Sequence, residues 1–431
     1  MTIPDDLDVT VAEPCPQEPL DDPVAAIVDA LGAPVDSPPL AEIVAAKQAS
    51  LGKTDLSTTI VISDHTRPVP SQVILPPILD LLHDAGIMNE NITILVATGL
   101  HRGSTPDELE RMVGEEILRD YAIVNHDAKS ETGLVDLGTT TDGTPVLVNK
   151  IYVDADLKIL TGYTDPHFFA GFAGGRKAIL PGIAGEASIR GNHSAAHIGH
   201  DQSRFGKTVG NPLHEDALEA AKIAGADFIV NVCLDEHHRI VKVATGELEA
   251  AHQVLVDYMK ETAVKELDEY YDIVIVNNGG YPLDLNLYQA VKSMAIGEMA
   301  VKEGGTIIAA NEQIDGVGSD EFEQIISNES DPRALIDKFL SGEIAIDAQW
   351  QVQIMARVLL RADVYVVSSM SRESFEPFQI GLKWASSVEE AVDIALEKLG
   401  RDSKILVLPA GPQLIPCVKG SDAPACEITP R

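Results

Sequence analysis

The segment ADLKILTGYTDPHFFAGFAGGRKAILPGIAGEASIRGNH, residues 155–193, decides how this chain folds. Its first nine residues have the pattern of a β-strand. From Asp165 to His193 the chain then packs six glycines, two histidines and an Arg-Lys pair into a stretch with no amphipathic period. Glycines this dense cost backbone entropy, so they are kept where a chain bends sharply or approaches a ligand. A strand that ends in such a loop is the working unit of an open α/β sheet, where ligands gather outside the carboxyl ends of strands.

The flanking sequence repeats that unit. TTIVISD (58–64) runs into the loop DHTRPVP and then the helical SQVILPPILDLLHDAG. NITILVATG (91–99) runs into LHRGST and then the helical PDELERMVGEEIL. Three loops that each follow a strand are expected to share one rim. A boundary is expected near 260–272, where the helical AAHQVLVDYMKETAVKELDEYYD gives way to a fresh strand, IVIVNNGG. Beyond it, YQAVKSMAIGEMAVKEGG reads as helix, TIIAANE and ADVYVVSS as strands, SVEEAVDIALEKLG as helix and KILVLPAG as strand. The reading is α/β: two α/β domains with the active site in the interdomain cleft. It divides the chain into an acidic, proline-rich segment (1–22), a catalytic, cofactor-binding domain (23–268) and a second α/β domain (269–431) that adds substrate contacts.

At 431 residues, two domains are the natural expectation. A formal charge of −35 argues against nucleic acid or anionic membrane as partners. No apolar run reaches membrane-spanning length. The N-terminus lacks the basic start and apolar core of a signal peptide, so a cytoplasmic protein is expected. Cys15, Cys233, Cys417 and Cys426 make no zinc spacing. Cys233, in FIVNVCL, reads as a buried small hydrophobe. Cys417 and Cys426 could pair, but a reducing compartment argues for thiols.

Four constellations could carry chemistry. Asp64-His65-Thr66-Arg67 offers a hydroxyl and a planar fork suited to carboxylate or phosphate; its bland alternative is a turn with a surface ion pair. His101-Arg102 offers an imidazole able to take and return a proton near neutrality. The glycine-rich segment is neither a Walker loop nor a dinucleotide fingerprint, yet its backbone amides, Arg176 and Lys177 suit an anion. Beside Arg176, the Lys177 ammonium is disfavoured, which makes a nucleophilic amine. His193 is a metal-ligand candidate, with His197 and His200 as rivals. Tyr288-Gln289-Ala290-Val291-Lys292 opens a helix and puts Tyr288 and Lys292 on one face; the alternative there is a solvated helix face.

Together, DHTRP, GLHR, DPHFFAGFAGGRKAILPGIAG, NH and YQAVKSM resemble, in order and spacing, the nickel-dependent lactate racemase family. His167 precedes Lys177 by ten residues and His193 follows it by sixteen. The family's cofactor is a nickel-pincer nucleotide, pyridinium-3-thioamide-5-thiocarboxylic acid mononucleotide. The resemblance implies that Lys177 links covalently to it, that His193 ligates nickel, and that His101 and His167 are the acid/base pair. It implies substrate contacts from Arg67, Tyr288, Gln289 and Lys292. It also implies cofactor positioning by Asp64, Thr66, Gly171, Gly174 and Gly175, with Trp350 near the cofactor. One departure is Leu100, where many relatives carry Thr.

The implied activity is racemisation or epimerisation of a 2-hydroxyacid by hydride transfer. The partners are a small anionic hydroxyacid and cofactor-maturation enzymes. Lactate, malate, a longer hydroxyacid and a sugar acid all stay open, with Arg102, Arg190 and Arg204 as candidate anchors for a second carboxylate. Oligomeric state is not written in the residues. Two other readings stand beside this one: a metal-assisted isomerase or lyase without the pincer group, and a non-catalytic binder of an organic anion or nucleotide.

Overall fold

The computed structural model describes residues 7–346 and 348–420. Its frame is two six-stranded sheets. In chain order, the strands of these sheets are β1 (Asp8–Val11), β2 (Thr58–Ser63), β3 (Ile92–Ala97), β4 (Ala122–Asn125), β5 (Leu157–Tyr163), β6 (Phe228–Leu234), β7 (Ile240–Gly246), β8 (Tyr271–Val276), β9 (Val301–Ala310), β10 (Asp363–Val367), β11 (Lys383–Trp384) and β12 (Lys404–Leu408). The first sheet has the order β7-β6-β5-β2-β3-β4, parallel except for the β6–β7 pair. The second has the order β1-β12-β8-β9-β10-β11 and is parallel throughout.

The central strands are β-branched runs buried on both faces, as parallel sheets require. Alternate side chains serve two cores. Ile60, Ile62 and Ile94 pack with Ile74, Leu75 and Ile78 of the helix Ser71–Asp84. Val61, Leu95 and Leu160 face the other way and join Phe172, Ile179 and Ile183 of the glycine-rich segment. That second core runs on into Val274, Ile307 and Leu406 of the other sheet, so one apolar body underlies both halves. Each such aliphatic side chain, fully buried, contributes roughly 1.5–3 kcal/mol.

In the first sheet the chain runs outward in one direction from β2 through β3 to β4, and in the other from β5 through β6 to β7. The order therefore reverses between β5 and β2, and a crevice opens beyond their carboxyl ends. The loops after β2, β3 and β5 share that rim, as the sequence predicts.

Three boundaries differ from expectation. The helix expected to reach residue 272 stops at Ala263, and Val264–Leu267 instead pairs in parallel with Ile415–Val418. The helix read across 288–305 ends at Glu298, and β9 begins at Val301, paired with β8. The expected helix at 106–118 is divided by Gly114, at φ 86°. In the first two cases strand pairing outweighs local helix propensity. Segment 1–22 supplies β1 to the edge of the second sheet. Cys233 is a buried free thiol. Cys417 is disulfide-bonded, which corrects the expectation of a thiol there, because compartment chemistry says nothing about which sulfurs the fold brings together. Cys426 lies outside the described residues. Among the described residues, no helix is long and apolar enough to cross a membrane.

Candidate active site

A cavity of about 630 Å³ opens where the two sheets' loops face each other. From the first sheet it is lined by Asp64, Thr66, Arg67, Leu100, His101, His167, Gly174, Lys177 and His193. From the other side come Tyr288, Gln289, Lys292 and Trp350. Residues drawn from six separate stretches of chain converge on one cleft.

The loop after β2 is held by its own side chains. Asp64 Oδ1 accepts from the Thr66 hydroxyl at 2.7 Å and from the Thr66 amide at 3.2 Å. The Thr66 hydroxyl accepts in turn from Arg67 Nη1 at 2.8 Å. Asp64 Oδ2 accepts from His101 Nδ1 at 2.6 Å. Burial would raise the Asp64 carboxyl, but the charge and hydrogen bond of His101, with Arg67 and Thr66, hold it well below the usual carboxylate range. A donating Nδ1 leaves Nε2 as the nitrogen that exchanges a proton.

His167 sits deeper. Its Nδ1 accepts from the Ala170 amide at 3.3 Å, and its Nε2 lies 3.0 Å from Lys177 Nζ. Burial, then the charges of Lys177, Lys292, Arg67 and His193, push this imidazole well below its ordinary range. Burial, followed by Arg176, Arg67 and Lys292, does the same to Lys177. These surroundings favour the neutral amine of Lys177, in the direction the sequence predicts, with burial as the larger cause. Its Nζ also stands 5.6 Å from the Phe169 ring centre.

His193 is 6% exposed and is gripped edge-on between Phe169 and Trp350, each 5.2 Å away between ring centres. Burial, then Lys177, pushes it down to about 3, so it is a neutral imidazole. Its Nδ1 is buried without a hydrogen-bond partner. An orphaned buried nitrogen costs free energy unless something binds it. Among the described residues, no group of three or more His, Cys, Asp and Glu side chains could hold a metal. Among the described residues, then, His193 has no cluster of fellow donors with which to hold a metal.

Across the cleft, Asn286 caps the helix Leu287–Glu298 by accepting from the Gln289 amide at 3.0 Å. Tyr288 accepts from Trp350 Nε1 at 2.9 Å, and Lys292 Nζ donates to Gln289 Oε1 at 2.6 Å. Burial, then Arg67, lowers Lys292 well below its ordinary range, against the pull of Asp64 and Asp165.

Several expected roles change in the structure. Gly171 and Gly175 do not line the cleft. A Cβ on Gly171 would come within 1.9 Å of the Lys207 carbonyl, and one on Gly175 within 2.8 Å of the His252 ring. Both glycines are there for close packing inside the protein, and Gly174 alone of the three faces the cavity. Arg176 is not an anion ligand. It is 1% exposed and donates to the carbonyls of Ala170 and Phe172 at 2.8 and 3.0 Å, so the loop is wound around its guanidinium. Asp64 has an oxygen bound to His101 and the other to Thr66, which leaves it little to offer a cofactor. Arg102 lines the cleft mouth but is forked on Glu108 at 2.7 and 2.8 Å. Arg190 bonds Glu186, and Arg204 bonds backbone carbonyls, both outside the cavity lining.

Sequence reasoning missed Asn231 and Asp165. Asn231 Oδ1 accepts from the Gly175 amide at 3.0 Å and pins the loop that carries Lys177. The signal was one polar residue within the apolar strand FIVNVCL. Asp165 is 9% exposed, and burial pushes its carboxyl up to about 8, against Lys292 and Arg67. It stands two residues before His167, and nothing in its spacing marks it as buried.

Comparisons agree with this geometry. The family model for the lactate racemase N-terminal domain matches residues 1–206, and that for the lactate racemase C-terminal domain matches residues 266–415. The chain belongs to the lactate racemase family. It is 40% identical over 358 residues to the lactate racemase of Thermoanaerobacterium thermosaccharolyticum, covering 83% of each chain. It is 39% identical over 368 residues to that of Lactiplantibacillus plantarum, covering 85% of this chain and 86% of the relative. The structure of the T. thermosaccharolyticum lactate racemase apoprotein superposes with a TM-score of 0.88 at 36% identity, covering 97% of both chains. As a lactate racemase family member, the protein is a 2-hydroxyacid racemase or epimerase that works with a covalently tethered nickel-pincer nucleotide. The residues fit that group: a buried lysine whose surroundings favour its neutral amine, a buried imidazole with an orphaned nitrogen, and, among the described residues, no cluster of donors able to hold a metal alone.

Proposed function

We propose that this enzyme inverts the C2 centre of lactate or a close monocarboxylic relative, with His101 and His167 as its acid/base pair. The supporting observation is that these two imidazoles, on loops after different strands, open into one cleft with Arg67 and Lys292 between the halves. Lys177 would hold the nucleotide and His193 would ligate its nickel. The chemistry supplied by the bound nickel-pincer nucleotide is reversible acceptance of a hydride.

The protein's own groups do the rest. Arg67 and Lys292 bind the substrate carboxylate, and a bound anion also favours the ammonium form of Lys292. For one enantiomer, one histidine takes the C2 hydroxyl proton as the hydrogen on carbon departs, through Nε2 where that histidine is His101. The resulting 2-keto acid stays tethered by its carboxylate and rotates. The other histidine returns a proton to the oxygen when hydrogen comes back to the opposite face. Each histidine is base in one direction and acid in the other, which suits imidazole. Asp64 orients His101 rather than the cofactor, and fixes its tautomer. Phe168, Phe169 and Trp350 wall the site against water, so the keto acid is kept. Leu100 adds an apolar wall beside His101, which suits a small uncharged substituent on C2.

Maturation enzymes that build and insert the nucleotide are the expected partners. The test is to co-produce the chain with such enzymes, measure intact mass and nickel, and follow both enantiomers of a 2-hydroxyacid panel. The reading expects a covalent adduct, about one nickel per chain, and inversion of lactate above malate. Full turnover by adduct-free protein would overturn it.

A further inference from the structure

A second cavity, of about 450 Å³, lies outside the cleft along the seam between the halves. Ile198 and Gly199 of the first half form one wall. The other wall brings Arg333, Arg357 and Arg361 together with Glu298 and Glu303. The helix Leu287–Glu298 carries Gln289 and Lys292 into the cleft, and its last residue reaches this groove. The helix Gln349–Arg361 starts with Trp350 and Gln351 in the cleft and ends with Arg357 and Arg361 in the groove. Two helices thus connect the substrate site to the groove, over roughly 10 Å at 1.5 Å per residue.

The charges in the groove do not balance. Arg357 donates Nε and Nη2 to Glu298 at 2.9 and 2.6 Å, while its Nη1 is buried without a hydrogen-bond partner. Arg361 gives Nε and Nη2 to the Val301 carbonyl at 3.0 and 2.8 Å, a neutral acceptor. Arg333 lies exposed on the helix Pro332–Leu340. Arg204 is half-buried within reach of the Arg357 charge. Burial and that like charge push its guanidinium down to about 10, with Glu298 and Asp201 only partly offsetting them. Glu298 is taken up by Arg357, and Glu303 stands exposed at the rim. In a chain of net charge −35, three guanidiniums against two carboxylates line the groove and form a local excess of positive charge with fork-shaped donors. Such donors suit multivalent oxyanions.

We infer that this groove binds one small multivalent oxyanion, a di- or triphosphate or a tricarboxylate, at the seam between the two halves of the enzyme. The anion takes the buried Nη1 of Arg357 and the guanidiniums of Arg333 and Arg361, and its grip is felt at the far ends of the helices that present Lys292 and Trp350.

The test is calorimetric titration of the holoenzyme with pyrophosphate and, separately, citrate, with ionic strength matched by sodium chloride. The expected result is saturable binding at one site per chain by at least one of the two. The responding anion identifies the ligand as phosphate or carboxylate. Arg333→Gln, at an exposed position, should weaken binding at least tenfold. Glu303→Gln should tighten it at least threefold, an outcome that misfolding would not produce. Arg67→Gln, in the cleft, should leave it unchanged. No saturable heat with either anion would overturn the inference. So would binding that is lost in Arg67→Gln but kept in Arg333→Gln, because the anion would then be in the cleft.

Discussion

His101 Nδ1 donates to Asp64 Oδ2 at 2.6 Å, although 37 residues separate the two in sequence. The pair exists because β2 and β3 are parallel neighbours, with Ser63 directly beside Ala97, so the loops that follow leave the sheet together. A buried carboxylate at this distance fixes the ring's orientation and tautomer, as in other His-carboxylate dyads. Asp64→Asn is expected to lower kcat on the order of 100-fold or more. Covalent nucleotide and nickel content should stay at wild-type levels. Loss of loading instead would return Asp64 to a cofactor-holding role.

Single substitutions at the lysine and the histidines separate tethering, metal binding and turnover. Lys177→Ala should abolish the covalent adduct in intact mass. His193→Ala should keep the adduct and lose nickel, because among the described residues no cluster of protein donors stands by to replace it. His101→Ala and His167→Ala should keep both and lose turnover by roughly 10²–10⁴-fold. Normal turnover in either histidine variant would remove it from the acid/base pair.

Tyr288 and Trp350 support each other across the cleft wall through a 2.9 Å bond. Tyr288→Phe leaves the partly buried indole N–H without its acceptor, at a cost of about 1–3 kcal/mol. The indole edge also braces the His193 ring. A lower thermal midpoint together with weaker nickel retention is expected. A fall in stability with nickel retention unchanged would show that the bond serves the wall alone.

What the sequence carried plainly was whatever is local in the chain. The strand-loop-helix units around 58, 92 and 157 were legible because β-branched runs and the turns that end them are contiguous. The direction of the Lys177 shift was legible because Arg176 is the adjacent residue, although burial, its larger cause, was not. The position of Arg176 was not, since its partners are backbone carbonyls of a loop folded back on itself, and composition does not say whether a guanidinium points to ligand or protein. Gly171 and Gly175 were misread for the same reason: a glycine marks a close approach, but not to what. The stop at Ala263 depended on a partner strand some 150 residues away, Ile415–Val418. The Asp64–His101 pair and the Arg204–Arg357 neighbourhood needed the sheet order and the packing of the two halves.

Long-range charge should show in kinetics. An anionic substrate approaches a chain of net charge −35 before it meets Arg67 and Lys292. Salt screens the distant repulsion beyond roughly 8–10 Å while the buried contacts are screened less. Raising ionic strength from a few millimolar to about 0.15 M is expected to raise kcat/KM severalfold, mainly through the association step. A flat or falling profile, with the fold intact by circular dichroism, would contradict this.

Asp165 gives the stability a pH signature. Burial raises its carboxyl from 3.8 to about 8, so between those values the folded chain holds a proton that the unfolded chain has released. The folded state binds more protons there, and stability must fall as pH rises through that window. The contribution is fully present below the ordinary carboxylate range and is lost above about pH 8. Asp165→Asn removes the titration while keeping the size of the side chain. It is expected to match wild type near pH 4.5 and to exceed it near pH 8.5. A tenfold change in proton affinity corresponds to about 1.4 kcal/mol, so a gain on the order of 1.4 kcal/mol or more is expected at the alkaline end. Chemical denaturation of both chains across that range measures the gap. A gap that does not widen with pH would mean that the Lys292 and Arg67 charges neutralise the carboxylate in the folded state.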